Sequence, residues 1–169
     1  MPVVRRSTSK PVFFLDTNIL VYSFSEQDVA KREIARSLVE ADGARISTQV
    51  LSELAHVLTR RFALPAREVK ERIAGVMAGC AVVVVSPAVV LDALRVMEQY
   101  GYGFFDSQII ATALACGASV LHSEDLHDGQ TIDARLRIRS PFRMRAEQRS
   151  KPYRVGKSRA RAGPSQRRG

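Results

Sequence analysis

Residues 104–125 read FFDSQIIATALACGASVLHSED, and this stretch decides the fold. Over residues 104–116, Phe105, Ile109, Thr112 and Ala113 recur at helical spacing, as on one face of an α-helix. Gly117 stops that helix, because a chain leaving a helix commonly needs a left-handed residue there. Residues 118–122, ASVLH, are short and apolar, which is the signature of a buried strand. Helix, glycine, strand and then two acids, Glu124 and Asp125, make the repeating half of an α/β fold, with polar groups at the strand's exit.

The pattern extends outward in both directions. Residues 11–15, PVFFL, are a second apolar run, ending in Asp16-Thr17-Asn18, and are expected to be a strand that enters a loop. Residues 28–40 carry Val29, Ile34, Leu38 and Val39 among charges, an approximate helical stripe. Residues 44–48 suggest a strand, and Leu51, Leu54, Leu58 and Phe62 then predict an amphipathic helix over 49–62. Pro65 suits the first turn of another helix, with Val69, Ile73, Val76 and Met77 following. Residues 81–85, AVVVV, read as a buried strand, and Ser86-Pro87 opens a helix through Leu91, Leu94 and Met97. A last strand falls near 136–138, before Pro141. Strands alternating with helices predict an α/β fold with a central, mainly parallel sheet flanked by helices.

The organisation follows from composition. Residues 1–10 form a basic extension, 11–142 the folded domain and 143–169 a basic tail, rich in Arg, Gly, Ser and Pro and expected to be disordered. The net charge of +9 is unevenly placed: ten of the 26 Lys and Arg, but one of the 17 acids, lie in the tail. The first 142 residues are therefore formally neutral, and charge-driven nucleic-acid contacts of low base specificity are expected from Arg143, Arg145, Arg149, Lys151 and Arg154. Tyr153 is the aromatic available there for stacking. Cys80 and Cys116 sit in apolar surroundings without metal-ligand spacing and read as buried thiols of a reducing compartment. No secretory leader is legible and no apolar run could span a bilayer, so a cytoplasmic location is expected.

In an open parallel sheet, functional groups gather at the carboxyl ends of the strands. Asp16 and Asp125 follow strands, while Glu53 and Asp106 lie near helix starts. Each has a structural reading when taken alone. Asp16 can cap a helix beginning near Thr17, Glu53 and Asp106 complement a helix dipole, and Asp125 stabilises a turn. Taken together, they can converge on one edge of the sheet.

The segments FFLDTNILVY, STQVLSELAHVLTRR, YGFFDSQIIATALACGASVLHSEDL and LRIRSPF resemble the successive motifs of PIN domains, above all those of VapC-type toxins of toxin–antitoxin pairs. The resemblance covers about residues 12–142. It implies a Rossmann-like PIN domain with Mg²⁺- or Mn²⁺-dependent ribonuclease activity, an acidic site at Asp16, Glu53, Asp106 and Asp125, a small antitoxin partner and a homodimer. Asn18 and Ser123 match positions expected to support that site by hydrogen bonds. Ser140-Pro141-Phe142 stands where the family often has Asn-Pro-Phe, and Glu124-Asp125 offers two adjacent carboxylates for one role.

The chemistry is consistent with that implication. Clustered carboxylates raise one another's pKa unless a cation compensates them, and oxygen-only ligands favour Mg²⁺ or Mn²⁺ over Zn²⁺. Asp16 and Asp106 are expected as direct ligands. Glu53 and Asp125 would act through water, hold a second ion or orient the attacking water. His56, His122 and His127 form no zinc set and are expected to be structural or solvent-facing.

Competing classes fit less well. An Asp-x-Asp phosphatase needs an acid where Asn18 stands, and a receiver-like module needs an acidic pair after its first strand. Two further readings remain as alternatives: a free-standing RNA-processing PIN protein, and a non-catalytic RNA-binding protein that uses its tail.

Overall fold

The computed structural model describes residues 11–143. Among them lie, in chain order, β1 (Phe13–Leu15), α1 (Thr17–Phe24), α2 (Val29–Val39), β2 (Ala44–Ser47), α3 (Thr48–Arg60) and α4 (Ala66–Gly79). β3 (Ala81–Val83), α5 (Pro87–Tyr100), α6 (Phe104–Ala115), β4 (Val120–His122), β5 (Thr131–Ile132) and β6 (Leu136–Arg139) complete it. The strands form one sheet in the order β3-β2-β1-β4-β6-β5, parallel except for β5, which runs antiparallel to β6. This is the α/β fold that the alternating pattern predicts.

Helix boundaries follow the capping chemistry. Asp28 caps α2 by accepting from Lys31 N at 3.0 Å, and Ser47 caps α3 by accepting from Val50 N at 3.1 Å. Ser86 caps α5 with Pro87 in its first turn, and Gly101, at φ 75°, ends that helix. Gly43 has a stricter role. Its φ is 94°, and a Cβ there would meet the Pro11 carbonyl oxygen at 2.5 Å, so the turn into β2 requires glycine.

α6 carries the packing. Every residue of it from 107 to 114 is buried, and α5 covers it with Val89, Ala93 and Val96. Phe14, Leu15, Ile46, Leu121 and Ile138 fill the sheet's core. Truncating one of these to alanine would cost about 2–5 kcal/mol through lost transfer energy and a cavity.

Four sequence expectations need correction. The loop expected after Leu15 is a helix: Asp16 accepts from Thr17 N and α1 begins at once. The strand at 81–85 is shorter and is not buried, because β3 lies at the sheet edge, with Ala81 exposed and Val84 71% exposed. In α5, Leu91, Leu94 and Met97 face outward, since the residues one or two positions away from them meet α6. Met77 of α4 and Phe105 of α6 are likewise exposed, at 51% and 66%. A run of apolar residues gives a helix its period, but it leaves open which of two apolar faces is buried. Both cysteines are free, Cys80 buried and Cys116 partly so. The extension 1–10 and all of the tail beyond Arg143 lie outside the described residues.

Candidate active site

The sheet order reverses between β1 and β4. From β1 the chain steps outward through β2 and β3, whereas β4, β6 and β5 lie on the other side. A crevice at the carboxyl ends of the strands is expected at such a switch point. Asp16 leaves β1 there, with its N–H donating to the His122 carbonyl at 3.0 Å, and Ser123 leaves β4 beside it.

Asp16 is 6% exposed and Ser123 fully buried. Asp16 Oδ1 accepts from Thr17 N at 2.6 Å, and Oδ2 accepts from Ser123 Oγ at 2.7 Å and Asn18 Nδ2 at 2.9 Å. Ser123 Oγ itself accepts from the N–H groups of Asp125 and Leu126 at 3.2 and 3.3 Å, which fixes the loop carrying Asp125. The Asn18 amide also reaches Asp125 Oδ2 at 3.0 Å, placing a neutral donor between two carboxylates.

Glu53 comes from the second turn of α3 and is held at both oxygens. Thr17 Oγ1 donates to Oε2 and Gln49 Nε2 to Oε1, each at 2.7 Å. Gln49 in turn accepts from Gln108 Nε2 at 2.6 Å and donates to the Phe105 carbonyl at 3.1 Å. Through Phe105 and Gln108, Gln49 thus ties the first two turns of α6, where Asp106 sits, to Glu53 of α3. The two adjacent acids after β4 part company: Glu124 pairs with Lys31 of α2, while Asp125 turns towards Asn18.

Asp16, Glu53, Asp106 and Asp125 line one pocket of about 1050 Å³. Burial pushes the Asp16 carboxyl up to about 6 against the hydrogen bonds from Ser123 and Thr17, and the charges of Glu53 and Asp106 add to the rise. Asp106 is also raised, first by burial and then by Glu53 and Asp125. The acids therefore feel one another, and among the described residues none of the four makes an ion pair.

Among the described residues, no three His, Cys, Asp or Glu side chains are drawn together closely enough to enclose an ion as they stand. The donor set is nevertheless all oxygen, and an ion that retains several waters, as Mg²⁺ does, suits carboxylates that share a pocket without meeting at a point. The histidines supply no alternative. His56 is exposed, and His127 packs against Tyr102. His122 stacks edge-on with Phe13 and is lowered to about 4 by burial and Arg139.

The structure thus gathers the four acids with Asn18 and Ser123. Of the tail residues expected to touch RNA, Arg143 is described, pairing with Asp128 at 3.8 Å; Arg145, Arg149, Lys151 and Arg154 lie outside the described residues. Sequence reasoning missed Thr17, Gln49 and Gln108. Gln49 had a signal, since it stands four residues before Glu53 on one helix face. Gln108 had none, because its partner is 59 residues away.

A family model described as "PIN domain" matches residues 13–127. No curated protein matches the sequence significantly. Several solved structures share the fold. VapC20 of Mycobacterium tuberculosis, described as a sarcin-ricin loop cleaving toxin, is 21% identical, with a TM-score of 0.54 over 64% of this chain and 86% of that one. A toxin–antitoxin complex from Klebsiella pneumoniae gives 19% and 0.58 over 76% of this chain and 97% of that one. DNA-bound VapBC from Salmonella typhimurium gives 20% and 0.58 over 76% and 96%. Among the described residues no helix is long and apolar enough to cross a membrane.

Proposed function

The chain belongs to the PIN domain family, and from that premise we propose that it is a metal-dependent endoribonuclease, the toxin of a toxin–antitoxin pair. The observation that carries the reading is the pocket itself: four carboxylates from four separate elements, each positioned by its own strand or helix end.

Asp16 and Asp106 would hold Mg²⁺ or Mn²⁺ directly, with Glu53 and Asp125 engaging it through water. The ion would polarise the phosphodiester and lower the pKa of the attacking water. The chain's own residues do the rest. Ser123 and Asn18 fix the Asp16 carboxylate where it lines the pocket. Thr17 and Gln49 hold Glu53, leaving it positioned to orient a water or accept its proton. The 2.6–2.9 Å bonds around Asp16 oppose the effect of burial and favour its charged form, as a ligand requires.

Among the described residues none of the four acids makes an ion pair, so this group of carboxylates is open to inhibition by an inserted arginine, which pairs bidentately with carboxylates. This supports a small basic-armed antitoxin, in line with the toxin–antitoxin complexes among the similar folds. The exposed apolar stripe of α5, formed by Val90, Leu91, Leu94 and Met97, supports a homodimer. The arginines of the tail would add an RNA-contacting arm, and a cytoplasmic location fits an RNA substrate.

The test is cleavage of labelled single-stranded RNA and DNA by the purified chain in Mg²⁺, in Mn²⁺ and in EDTA. RNA should be cut in either metal and left intact in EDTA. Full cleavage in EDTA would contradict the reading. For the toxin role, expression alone should arrest growth, and harmless expression of an active enzyme would contradict it.

A further inference from the structure

The same pocket also carries positive charge, which gathers towards Ser23 and Phe24 at the end of α1, a helix length from Asp16 at its start. Beyond the acids it is lined by Arg32 and Arg36 of α2, Arg61 at the end of α3 and Arg72 of α4. Among the described residues none of the four makes an ion pair, whereas Arg67 and Arg95 on nearby helix exteriors do. Glu26 lines the pocket too but forms no ion pair with them among the described residues. Arg36 and Arg61 stand at helix C-termini, where a cation complements the dipole. Arg32 and Arg72 have no such reason.

Two of the guanidiniums are aimed by contacts. Arg36 Nε donates to the Ser23 carbonyl at 3.0 Å, and Arg72 lies 5.2 Å from the centroid of the Phe24 ring. Four like charges around one recess repel each other unless an anion joins them. Exposed rings flank the track at both ends, with Phe62 beside Arg61 and Phe105 beside Asp106. Such rings stack on unpaired bases, and a duplex offers none along its length.

We propose that Arg32, Arg36, Arg61 and Arg72 form a phosphate subsite that holds the backbone of single-stranded RNA next to the phosphodiester at the acid end, with Phe62 and Phe105 stacking on its bases. This rests on the reading of the acid pocket as the RNA-cutting site. The arginines act as positioning residues: they fix the register of the strand, and the acids handle the scissile phosphate.

The experiment uses the full-length chain carrying Asp16→Asn to prevent turnover, and an unstructured fluorescent RNA oligonucleotide. Anisotropy is followed across a salt series. Arg61→Gln/Arg72→Gln should weaken binding roughly tenfold and lower the slope of log K against log salt by about 1.4, two phosphates at about 0.7 each. Arg61→Lys/Arg72→Lys should recover most of the slope, and Arg67→Gln, outside the pocket, should match the parent. If the glutamine pair fails to fold, Arg32→Gln alone should still lower the slope by about 0.7. In the cleaving protein the glutamine pair should raise KM more than it lowers kcat. Superimposable slopes for parent and glutamine pair would overturn the proposal. So would an unchanged RNA slope with lost binding of a decaglutamate peptide, which would assign the recess to an acidic protein segment. If the chain with Asp16 intact cleaves no RNA but the slope still falls, the phosphate subsite stands and the nuclease reading fails.

Discussion

The two ends of the pocket are built in opposite ways. The acid end uses short side chains fixed at strand exits and helix starts, each carboxylate oxygen of Asp16 and Glu53 already accepting a hydrogen bond. The arginine end uses long side chains from helix exteriors, with two of its four members aimed by a carbonyl or a ring. Short groups set around a buried, hydrogen-bonded Asp16 give a rigid constellation of the kind that chemistry needs, whereas long, solvated ones give charge that adapts to a flexible strand. Changes at the first end should therefore alter rate, and changes at the second should alter affinity and salt dependence.

The largest effect lies at the acid end. Asp16→Asn or Asp106→Asn should lower the cleavage rate at saturating RNA by at least about a thousandfold, roughly 4 kcal/mol of barrier. Gln49→Ala leaves the four acids in place but frees Glu53 and the tie to α6, so a loss of about 10–100-fold in kcat is expected. If Gln49→Ala instead changed KM and salt slope, the division between the two ends would fail.

Stability should separate the ends as well. In the metal-free protein Asp16 holds its proton to about pH 6, against an ordinary value of 3.8, so its contribution to stability falls as pH rises through that window. His122 does the reverse. Lowered from 6.5 to about 4, it must gain a proton on unfolding, so its contribution rises with pH over the same range. The two slopes largely cancel in the parent. Denaturation in EDTA should then show Asp16→Asn gaining on the order of 2 kcal/mol between pH 4 and pH 6.5. His122→Gln should lose stability over that span, and a flat profile in both variants would refute the opposition. Substitutions at the arginine end should shift none of these profiles, and their affinity loss of roughly tenfold is the smallest effect expected.

The sequence made one end of the pocket legible and hid the other. Asp16 and Asp125 follow short apolar runs, so their place at strand exits could be read from local pattern. Ser123 and Asn18 sat within reach of them in the chain. The start of α1 was legible only as one reading of Asp16, that of a cap, because Thr17-Asn18 also looks like the start of a loop. The buried faces of α5 and the edge position of β3 depend on strand order, which periodicity does not contain. The arginine end was invisible for a related reason. Sixteen bases against sixteen acids sum to neutrality over residues 1–142, and a sum does not record that acids and arginines collect at opposite ends of one pocket. The proposed phosphate subsite would add the folded domain to the RNA contacts expected of the tail.

The central claim is that Asp16, Glu53, Asp106 and Asp125 act as one cation-holding centre. It is tested most directly by calorimetric titration of Mn²⁺ into the full-length parent and into Asp106→Asn at neutral pH. Saturable binding to the parent is expected, with a rise in its thermal transition, and loss of both in the variant. Equal binding by the two proteins would contradict it.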